Sequence, residues 1–436
     1  MRFSELFTKT RREAPKDEQA KNAVLLSRAG FIYKEMAGAY TLLPLGLRVI
    51  RKIEGIIREE MERAGGNEVL LTTLQSPAVW ERTGRWSDEI VDNWFRTVLK
   101  DGSPLGLAHT HEEPLTALLT HYISSYRDLP RLIFQFQTKF RNELRAKSGI
   151  LRGREFVMKD CYSFARTEAE HAVLYQRMKD AYTRIFERAG IGEHTYFTRA
   201  SGGSFSRASE EFQTLTDAGE DTIYIEPDTH TAINAEVLDE TLLAELNVPR
   251  ERLVEKKAIE VGNIFPLGTK FSELLGLVFT DESGEKRRVV LGCYCIGVGR
   301  LMGTVAEVLS DNRGLVWPRS IAPFDAHLVR IRNSKLEISS ESHIHKAQIT
   351  NDVVAEADGL YAALQAHGVS VLYDDRQDVS VGEQFADADL IGLPYRIVAS
   401  EKTMAAGKYE MRERRSGAVD LIGGDELIRR LAGHRD

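Results

Sequence analysis

The sequence predicts an α+β fold with an antiparallel sheet over about the first 320 residues, followed by a smaller α/β domain. Two observations predict this. Strand patterns in the first part follow one another with interspersed helices, without regular strand–helix alternation. After the stretch 317–324, which carries two prolines and is expected to be a linker, strands and helices alternate up to the end. We therefore expect two domains, residues 1–320 and 321–436.

The composition is that of a folded chain. With 436 residues, 42% hydrophobic and 28% charged, it falls outside the disordered and collagen-like classes. No apolar run approaches the ~20 residues that a membrane helix needs, and the charged N-terminus lacks the apolar centre of a signal peptide. Three cysteines are too few for a disulfide framework, which fits a reducing compartment. We expect a cytoplasmic protein without membrane association.

The elements of the first domain follow from periodicity and turn residues. Residues 44–64 are typical of an amphipathic helix, with apolar residues at three- and four-residue steps. Strands over 131–143 and 154–165, joined by a polar loop, predict a long antiparallel hairpin. Other elements expected here are a strand over 67–77, helices over 114–126 and 167–190, strands over 222–226, 258–265 and 288–296, and a helix from Gly297.

The second domain shows the alternating pattern of strands and helices. The expected strands cover 325–331, 369–376, 395–400 and 408–415, and the expected helices cover 351–368, 381–392 and 424–433.

The hairpin carries a local basic field, because residues 131–154 hold seven basic residues and one acid, Glu143. Such a field suits ATP or RNA, and a solvated charged face is the alternative.

Arg141 and Glu143 are two apart on the expected strand, so they face the same side. An arginine fork binds phosphate, and the glutamate suits an amine donor such as the adenine amino group. Phe156 on the returning strand would stack on a purine. The alternative for Arg141 and Glu143 is a cross-strand salt bridge, and the alternative for Phe156 is core packing.

A second phosphate-type feature lies at residues 297–300. Gly297 and Gly299 leave room for a ligand, and Arg300 stands at a helix start, where the helix terminus and the guanidinium both favour phosphate. Many turns share this short pattern.

In combination these stretches resemble a known family. The segments FRNE (140–143) and REF (154–156) with the later GVGR helix match motifs 2 and 3 of class II aminoacyl-tRNA synthetases, and the 44–64 helix resembles motif 1, the dimer element. The stretches HTHEEP (109–114), GREFVMKDCYSF and EVGNIFPLGTKFS (260–272) resemble prolyl-tRNA synthetases of the bacterial type. The resemblance covers essentially the whole chain and includes an α/β anticodon-binding domain from about residue 324.

The resemblance implies roles for the nucleotide-side residues, with Arg141 and Arg300 as the catalytic pair. Arg141 would contact the ATP α-phosphate and the amino-acid carboxylate, and Arg152 the outer phosphates. Glu143 would accept from the adenine amino group and Phe156 would stack on adenine. Arg300 would cover the other adenine face and contact the γ-phosphate. Glu260 and Asn263 lie where related enzymes touch the nucleotide.

On the amino-acid side, Thr110 and Glu112 fall on the family's Thr-x-Glu element, which holds the ring nitrogen of proline. A secondary ammonium has two N–H donors, which a hydroxyl and a carboxylate satisfy; helix capping before Pro114 is the alternative. Phe164 and Phe265 are candidate walls for the proline ring, with core packing equally open. The Gly/Ser-rich stretch 201–212 resembles the family's GGS loop near the amino-acid site, or is a plain turn.

The implied reaction is two-step ligation of proline to tRNA(Pro) through a prolyl-adenylate, with ATP and Mg²⁺, in a homodimer. Arg376, at a strand end, is the candidate for anticodon contact, and a strand-end charge cluster is its alternative. The three cysteines lack the spacing of a zinc site, so we expect no protein-bound metal.

The sequence departs from the bacterial type in one respect. Only 126 positions separate Phe164 from Leu291, which leaves no room for the large editing domain usual between motifs 2 and 3. Because a pocket loses only roughly 1–3 kcal/mol per missing methylene, we expect alanine to enter and a separate deacylase to clear the error. Alternative functions are another class II synthetase, for histidine or threonine, and a catalytically silent tRNA-binding regulator.

Overall fold

The computed structural model describes residues 1–146, 148–201, 209–331 and 342–433, and for residues 342–351 the backbone only. The strands are β1 (Ile32–Met36), β2 (Ala39–Leu42), β3 (Gly66–Glu68), β4 (Leu74–Gln75), β5 (Arg96–Val98), β6 (Pro104–Leu107), β7 (Arg131–Phe140), β8 (Glu155–Ala165), β9 (Thr195–Ala200), β10 (Ser209–Leu215), β11 (Asp221–Glu226), β12 (Thr231–Asn234), β13 (Val254–Gly268), β14 (Val278–Thr280), β15 (Lys286–Arg288), β16 (Val290–Gly297), β17 (Ala326–Arg330), β18 (Val371–Asp374), β19 (Tyr395–Ala399), β20 (Tyr409–Glu413) and β21 (Val419–Ile422). The α-helices are α1 (Lys21–Arg28), α2 (Pro44–Arg63), α3 (Pro77–Arg82), α4 (Glu112–Leu119), α5 (Glu168–Arg188), α6 (Glu240–Leu246), α7 (Lys270–Leu275), α8 (Val298–Leu309), α9 (Ser342–Ala366), α10 (Val381–Ile391), α11 (Glu401–Ala405) and α12 (Gly424–Ala432).

A nine-stranded sheet in the order β10-β9-β12-β11-β13-β16-β8-β7-β3 organises the first part of the chain. Its central pairs, β7–β8, β8–β16 and β16–β13, are all antiparallel, while β3–β7 and β9–β12 are parallel. The predicted antiparallel sheet and its long hairpin are therefore confirmed.

Alternation along the central strands separates a core face from a polar face. Leu132 and Phe134 of β7 pack with residues of α2, α5 and α8 in the main apolar core. The next residues in the alternation, Gln135 and Lys139, turn to the opposite face and are buried there with polar partners. That opposite face carries the candidate site.

The C-terminal sheet has the order β18-β17-β19-β20-β21, with a parallel centre and antiparallel β19–β20–β21. It has its own apolar core between this sheet, α9 and α12, as the α/β prediction requires. The stretch 317–324 is not a loose linker, because Trp317, Ile321 and Phe324 are buried in the main core. The boundary at 320/321 stays a prediction.

The N-terminal residues pack against the C-terminal sheet. Arg2 bridges to Tyr373 beside the edge strand β18 and pairs with Asp375 at 3.2 Å. The Ser4 hydroxyl donates to the same carboxylate at 2.8 Å, and the Phe3 ring stacks on His327 with centroids 5.9 Å apart. Residues 1–4 therefore complete one edge of the second domain.

Some local predictions were wrong. The strand expected over 67–77 is interrupted between β3 and β4, because side chains bind its backbone: Leu71 N donates to Gln135 and Leu71 O accepts from Gln137. The helix expected over 114–126 is α4, which ends at Leu119, and the strand expected over 131–143 ends at Phe140. In the described part of the chain, we find no helix that is both long and apolar enough to cross a membrane.

Candidate active site

Six of the expected nucleotide residues line one cleft over β8, β16 and β13. Those residues are Arg141, Glu143, Arg152, Phe156, Glu260 and Arg300. Gly297, at the end of β16, and Cys295 complete the floor between the two arginine-bearing segments. The structure thus brings together two segments that lie about 160 positions apart in the sequence.

Arg141 follows directly after β7 and points along the cleft. Its guanidinium carbon lies 5.6 Å from the centroid of the Phe156 ring. Its buried Nε has no hydrogen-bond partner among the described residues. A buried guanidinium donor without a partner is costly, so this arginine fits an anionic ligand in the cleft.

Arg300 occupies the first turn of α8, where the backbone leaves β16 at Gly297. Its Nε donates to Leu151 O at 2.8 Å and its Nη1 to Glu260 O at 3.1 Å. The Glu260 carboxylate lies 3.6 Å away. These contacts fix the guanidinium at the cleft wall while a third of the side chain stays exposed.

Glu143 is engaged with the loop between β7 and β8. Arg152 contacts its Oε2 from Nε at 3.0 Å and from Nη2 at 2.9 Å, and Asn93 donates to its Oε1 at 3.2 Å. A salt bridge therefore exists at Glu143, as the alternative held, but with Arg152 in place of Arg141. Arg152 also pairs with Glu220 at 3.2 Å and remains nearly half exposed.

The sequence analysis missed Glu211 on β10. Asn263 lies opposite it on β13 and donates to its Oε1 at 3.1 Å, so Asn263 is buried behind the cleft. Burial, and next the charge of Glu260, raise the pKa of Glu211 to about 8. The sequence offered only two adjacent glutamates, Glu210 and Glu211, a residue type that is mostly exposed.

Thr110 and Glu112 lie in the turn from β6 into α4 and are both buried. The Thr110 hydroxyl donates to Glu112 Oε2 at 2.6 Å, and Cys293 Sγ donates to Oε1 at 3.2 Å. The N-cap of α4 is His111, which makes no side-chain cap bond. Thr110 and Glu112 therefore do not cap α4, and the capping alternative is wrong.

A buried arginine compensates the charge of this turn. Arg85 lies 2.9 Å from Glu113 and 3.7 Å from Glu112. Burial raises the pKa of Glu113 to about 7, although Arg85 opposes the shift. Arg85 is packed against the Trp80 and Phe271 rings at 5.3 and 5.7 Å, so its position is fixed by apolar contacts.

The two phenylalanines expected around proline are placed differently. Phe164 is fully buried in an apolar cluster with Leu115 and Phe271, which is core packing, and it does not line the cleft. Phe265 is only partly buried, opposite Cys293 in the β13–β16 ladder and therefore beside Glu112. The GGS loop resemblance falls largely on residues 202–208, which lie outside the described residues.

Arg376 lies at the end of β18, away from the cleft. It forks onto Asp374 at 2.9 and 2.7 Å, pairs with Asp387 at 2.9 Å and lies 4.0 Å over the Phe3 ring. These contacts are those of a strand-end charge cluster, so an anticodon role for Arg376 stays a prediction.

The comparisons with known proteins agree with this geometry. Residues 95–309 match the family model of the tRNA synthetase class II core domain (G, H, P, S and T), and residues 340–434 match the anticodon binding domain. Proline–tRNA ligases of Beijerinckia indica and Maricaulis maris are 36% and 35% identical over 456 residues, covering 99% of this chain and 100% and 98% of theirs.

A solved structure shares the fold. The Giardia lamblia prolyl-tRNA synthetase in complex with prolyl-adenylate superimposes with a TM-score of 0.76 at 19% identity, over 93% of this chain and 74% of that one. Fold, cleft and near full-length relatives lead to one conclusion: the chain belongs to the proline–tRNA ligase family of class II aminoacyl-tRNA synthetases.

Proposed function

We propose that this protein activates L-proline with ATP and transfers the prolyl group to tRNA(Pro). The observation that carries the proposal is that the arginine cleft and the Thr110–Glu112 pair meet at β16, in a chain of this family: Cys295 lines the cleft, and Cys293, whose sulfur lies 3.5 Å from that of Cys295, donates to Glu112. A triphosphate site and a secondary-ammonium site are thereby adjacent.

In the first step, a proline carboxylate oxygen attacks the α-phosphorus of ATP. The α–β phosphoanhydride bond breaks, pyrophosphate leaves, and prolyl-adenylate remains. Two anions have to approach one another, and Arg141, whose Nε has no hydrogen-bond partner in the described part of the chain, stabilises the charge that develops between them. Most of the rate then comes from positioning and electrostatics, without a covalent intermediate on the protein.

Proline selection rests on the Thr110–Glu112 pair. Because the Thr110 hydroxyl donates its proton to Glu112, its lone pairs remain to accept from the ammonium. The Glu112 carboxylate takes the second N–H bond and supplies the compensating charge. Partly buried Phe265, at the same end of the site, offers an apolar wall for the ring.

For the nucleotide, Phe156 supplies a ring for stacking on adenine, and Glu143 an acceptor for its amino group. Arg300 covers the other adenine face and Arg152 reaches the outer phosphates. Mg²⁺ fits the donor chemistry of this site, because Glu260 lines the cleft and Glu211 lies on the paired strand β10, and carboxylate oxygens are ligands that Mg²⁺ takes. When bound, the ion would neutralise phosphate charge, and these two residues would hold it.

In the second step, a terminal ribose hydroxyl of tRNA attacks the adenylate carbonyl carbon and AMP leaves. The C-terminal domain supplies the anticodon-binding region, as the family match over 340–434 supports. A cytoplasmic homodimer accompanies this function. Support for the dimer comes from Leu70, Leu74 and Val98, large apolar side chains that are exposed beside the β4–β6–β5 sheet.

Errors with alanine are left to a separate deacylase. The described residues between β8 and β16 form α5, α6, α7 and the strands β9–β15, and five of these strands, β9–β13, belong to the nine-stranded sheet. This part of the chain therefore supports the catalytic sheet, which favours editing by another protein.

The test is ATP–pyrophosphate exchange by the purified protein with each of the twenty amino acids. We expect the highest kcat/KM with proline and weaker exchange with alanine. Exchange that depends on histidine or threonine would assign another member of class II. No exchange with any amino acid, together with tRNA binding, would identify a catalytically silent regulator.

A further inference from the structure

A group of buried polar side chains lies directly behind the proline side of the site, and the mechanism above does not use it. Lys139 of β7 and Asp160 of β8 are both 0% exposed and form an ion pair, Nζ to Oδ1, at 3.0 Å. Gln135 donates to Asp160 Oδ2 at 2.8 Å. Buried charges of this kind are retained only when paired.

Two arms of this group converge on His111. In one arm, Lys139 Nζ donates to His111 Nδ1 at 2.7 Å. In the other, the Tyr162 hydroxyl donates to Asp160 Oδ2 at 2.9 Å and accepts from the His111 backbone N–H at 3.2 Å. The ring and the backbone of His111 are thus fixed by the same ion pair.

The lysine also determines the histidine tautomer. An ammonium only donates, so His111 Nδ1 must be the unprotonated nitrogen. Nε2 then carries the proton and donates to Thr72 O at 3.1 Å. Burial, with the charge of Lys139, lowers the pKa of His111 to about 4, which agrees with a neutral ring held at both nitrogens.

His111 stands between the two residues that receive the ammonium. The stretch from Leu107 to Glu112 has no ladder of its own, since β6 ends at Leu107 and α4 begins at Glu112. Bonds from neighbours set its geometry: Phe140 N to Ala108 O at 2.8 Å, Gln75 Nε2 to Thr110 O at 2.7 Å, and, next to the two site residues, the two arms at His111. A displaced His111 would change the directions of the Thr110 hydroxyl and the Glu112 carboxylate together.

We propose that Lys139 and Asp160 are positioning residues for substrate proline, holding Thr110 and Glu112 through His111 and Tyr162. The inference rests on the proposed function, since it names what orients that function's amino-acid site. Loss of the arms raises KM for proline and leaves KM for ATP almost unchanged, because no member of the group lines the nucleotide cleft.

The experiment compares two buried lysines. Lys159 is also 0% exposed, but faces the other side of β8, where it donates to Tyr182 OH at 2.6 Å and to Tyr294 O at 3.1 Å. Lys139→Met and Lys159→Met each remove a fully buried lysine with its hydrogen bonds, but only Lys139→Met leaves a carboxylate, Asp160, without its ion pair, so we expect the larger drop in melting temperature there. Only Lys139→Met raises KM for proline in pyrophosphate exchange, by at least tenfold, with KM for ATP within twofold of wild type.

Two further variants separate positioning from stability. Tyr162→Phe deletes only the hydroxyl of the second arm; it folds without losing a charge and raises KM for proline severalfold. Lys139→Met combined with Asp160→Asn removes both charges, so the melting temperature recovers relative to Lys139→Met while KM for proline stays high.

Several outcomes would overturn the proposal. Equal KM values for proline in the Lys139→Met and Lys159→Met proteins would do so, as would a KM that recovers together with the melting temperature in the double variant. If Lys139→Met does not fold, an unchanged KM in Tyr162→Phe refutes it. Wild-type protein that gives no proline-dependent exchange contradicts the proposed function itself, a result distinct from all of these.

Discussion

Arg141 lies over Phe156, with its guanidinium carbon 5.6 Å from the ring centroid, at the point where the central hairpin opens. One residue follows the end of β7 and the other lies near the start of β8. The pair therefore places a flat ring and a positive charge within a few ångströms of each other, as the proposed nucleotide site requires.

Replacing Arg141 by alanine removes the donor on which the first step depends. We expect kcat for proline-dependent pyrophosphate exchange to fall by at least ~100-fold, the typical cost of one transition-state donor, with little change in melting temperature. Arg131→Ala, an exposed arginine at the far end of the same strand, is the matched control and retains full activity. Unchanged exchange in Arg141→Ala would remove this residue from the mechanism.

The adjacent buried glutamates respond differently to neutralisation. Glu112→Gln keeps the size of the side chain but loses the charge facing the ammonium, so we expect KM for proline to rise about 100-fold. Glu113 is bound instead by Arg85 and Thr83, so its neutralisation lowers the melting temperature but leaves the charge that faces the ammonium in place. Glu113→Gln should change KM less than threefold. Similar KM values in the two variants, measured by exchange, would contradict the assignment of Glu112.

Acid should weaken the C-terminal domain through His327. Burial lowers the pKa of this histidine to about 4, with Asp374, Arg376 and Arg396 as its charged neighbours. The unfolded state takes up the proton below pH ~6.5 and the folded state does not, so stability falls as the pH drops from 6.5 to 4, by about 3 kcal/mol. Urea unfolding at pH 7 and pH 4 measures this loss. His327→Leu should show a correspondingly smaller loss, and equal losses would exclude the histidine.

We expect Arg376 to contribute to the folding stability of the C-terminal domain, whether or not it also contacts tRNA. Arg376→Ala leaves Asp374 fully buried without its partner, which costs about 3–5 kcal/mol. Exposed Arg415→Ala should change the free energy of unfolding by less than about 0.5 kcal/mol. A variant with unchanged stability but weaker tRNA(Pro) binding would instead support anticodon contact by Arg376.

Alanine should be a misactivated substrate. We expect exchange with alanine to be weaker than with proline by roughly 10- to 200-fold per missing methylene, and alanyl-tRNA(Pro) to persist in the presence of the purified protein. Rapid hydrolysis of that product by the protein alone would show an editing activity in this chain.

The sequence predicted the parts that depend on local pattern. Alternation indicated the β7–β8 hairpin to within a few residues, and the residues 141, 156 and 300 that the sequence assigns to one site do line a single cleft, while nucleotide binding there stays a prediction. It did not predict Glu211, because a buried glutamate on a strand looks the same as an exposed one until β10 and β13 pair. Nor did it predict that the backbone near Leu71 is bound by Gln135 and Gln137, since long-range side-chain bonds leave no periodic signal.

Lys139 shows the same difficulty. A lysine in a basic, polar stretch has the pattern of a solvated surface residue, and only the strand pairing that sets Asp160 opposite Gln135 gives it a buried partner. For Phe164 the sequence left a proline wall and core packing equally open, and only the packing of Leu115 and Phe271 around it shows that it is buried in an apolar cluster.

The docking of residues 1–4 on β18 bears on how the second domain can be studied in isolation. A fragment limited to residues 321–436 would expose the edge of a sheet, leave Asp375 without Arg2 and uncover the ring of His327. Such a fragment is expected to associate through that bare strand. Supplying a peptide with the sequence of the first residues should restore a monodisperse species.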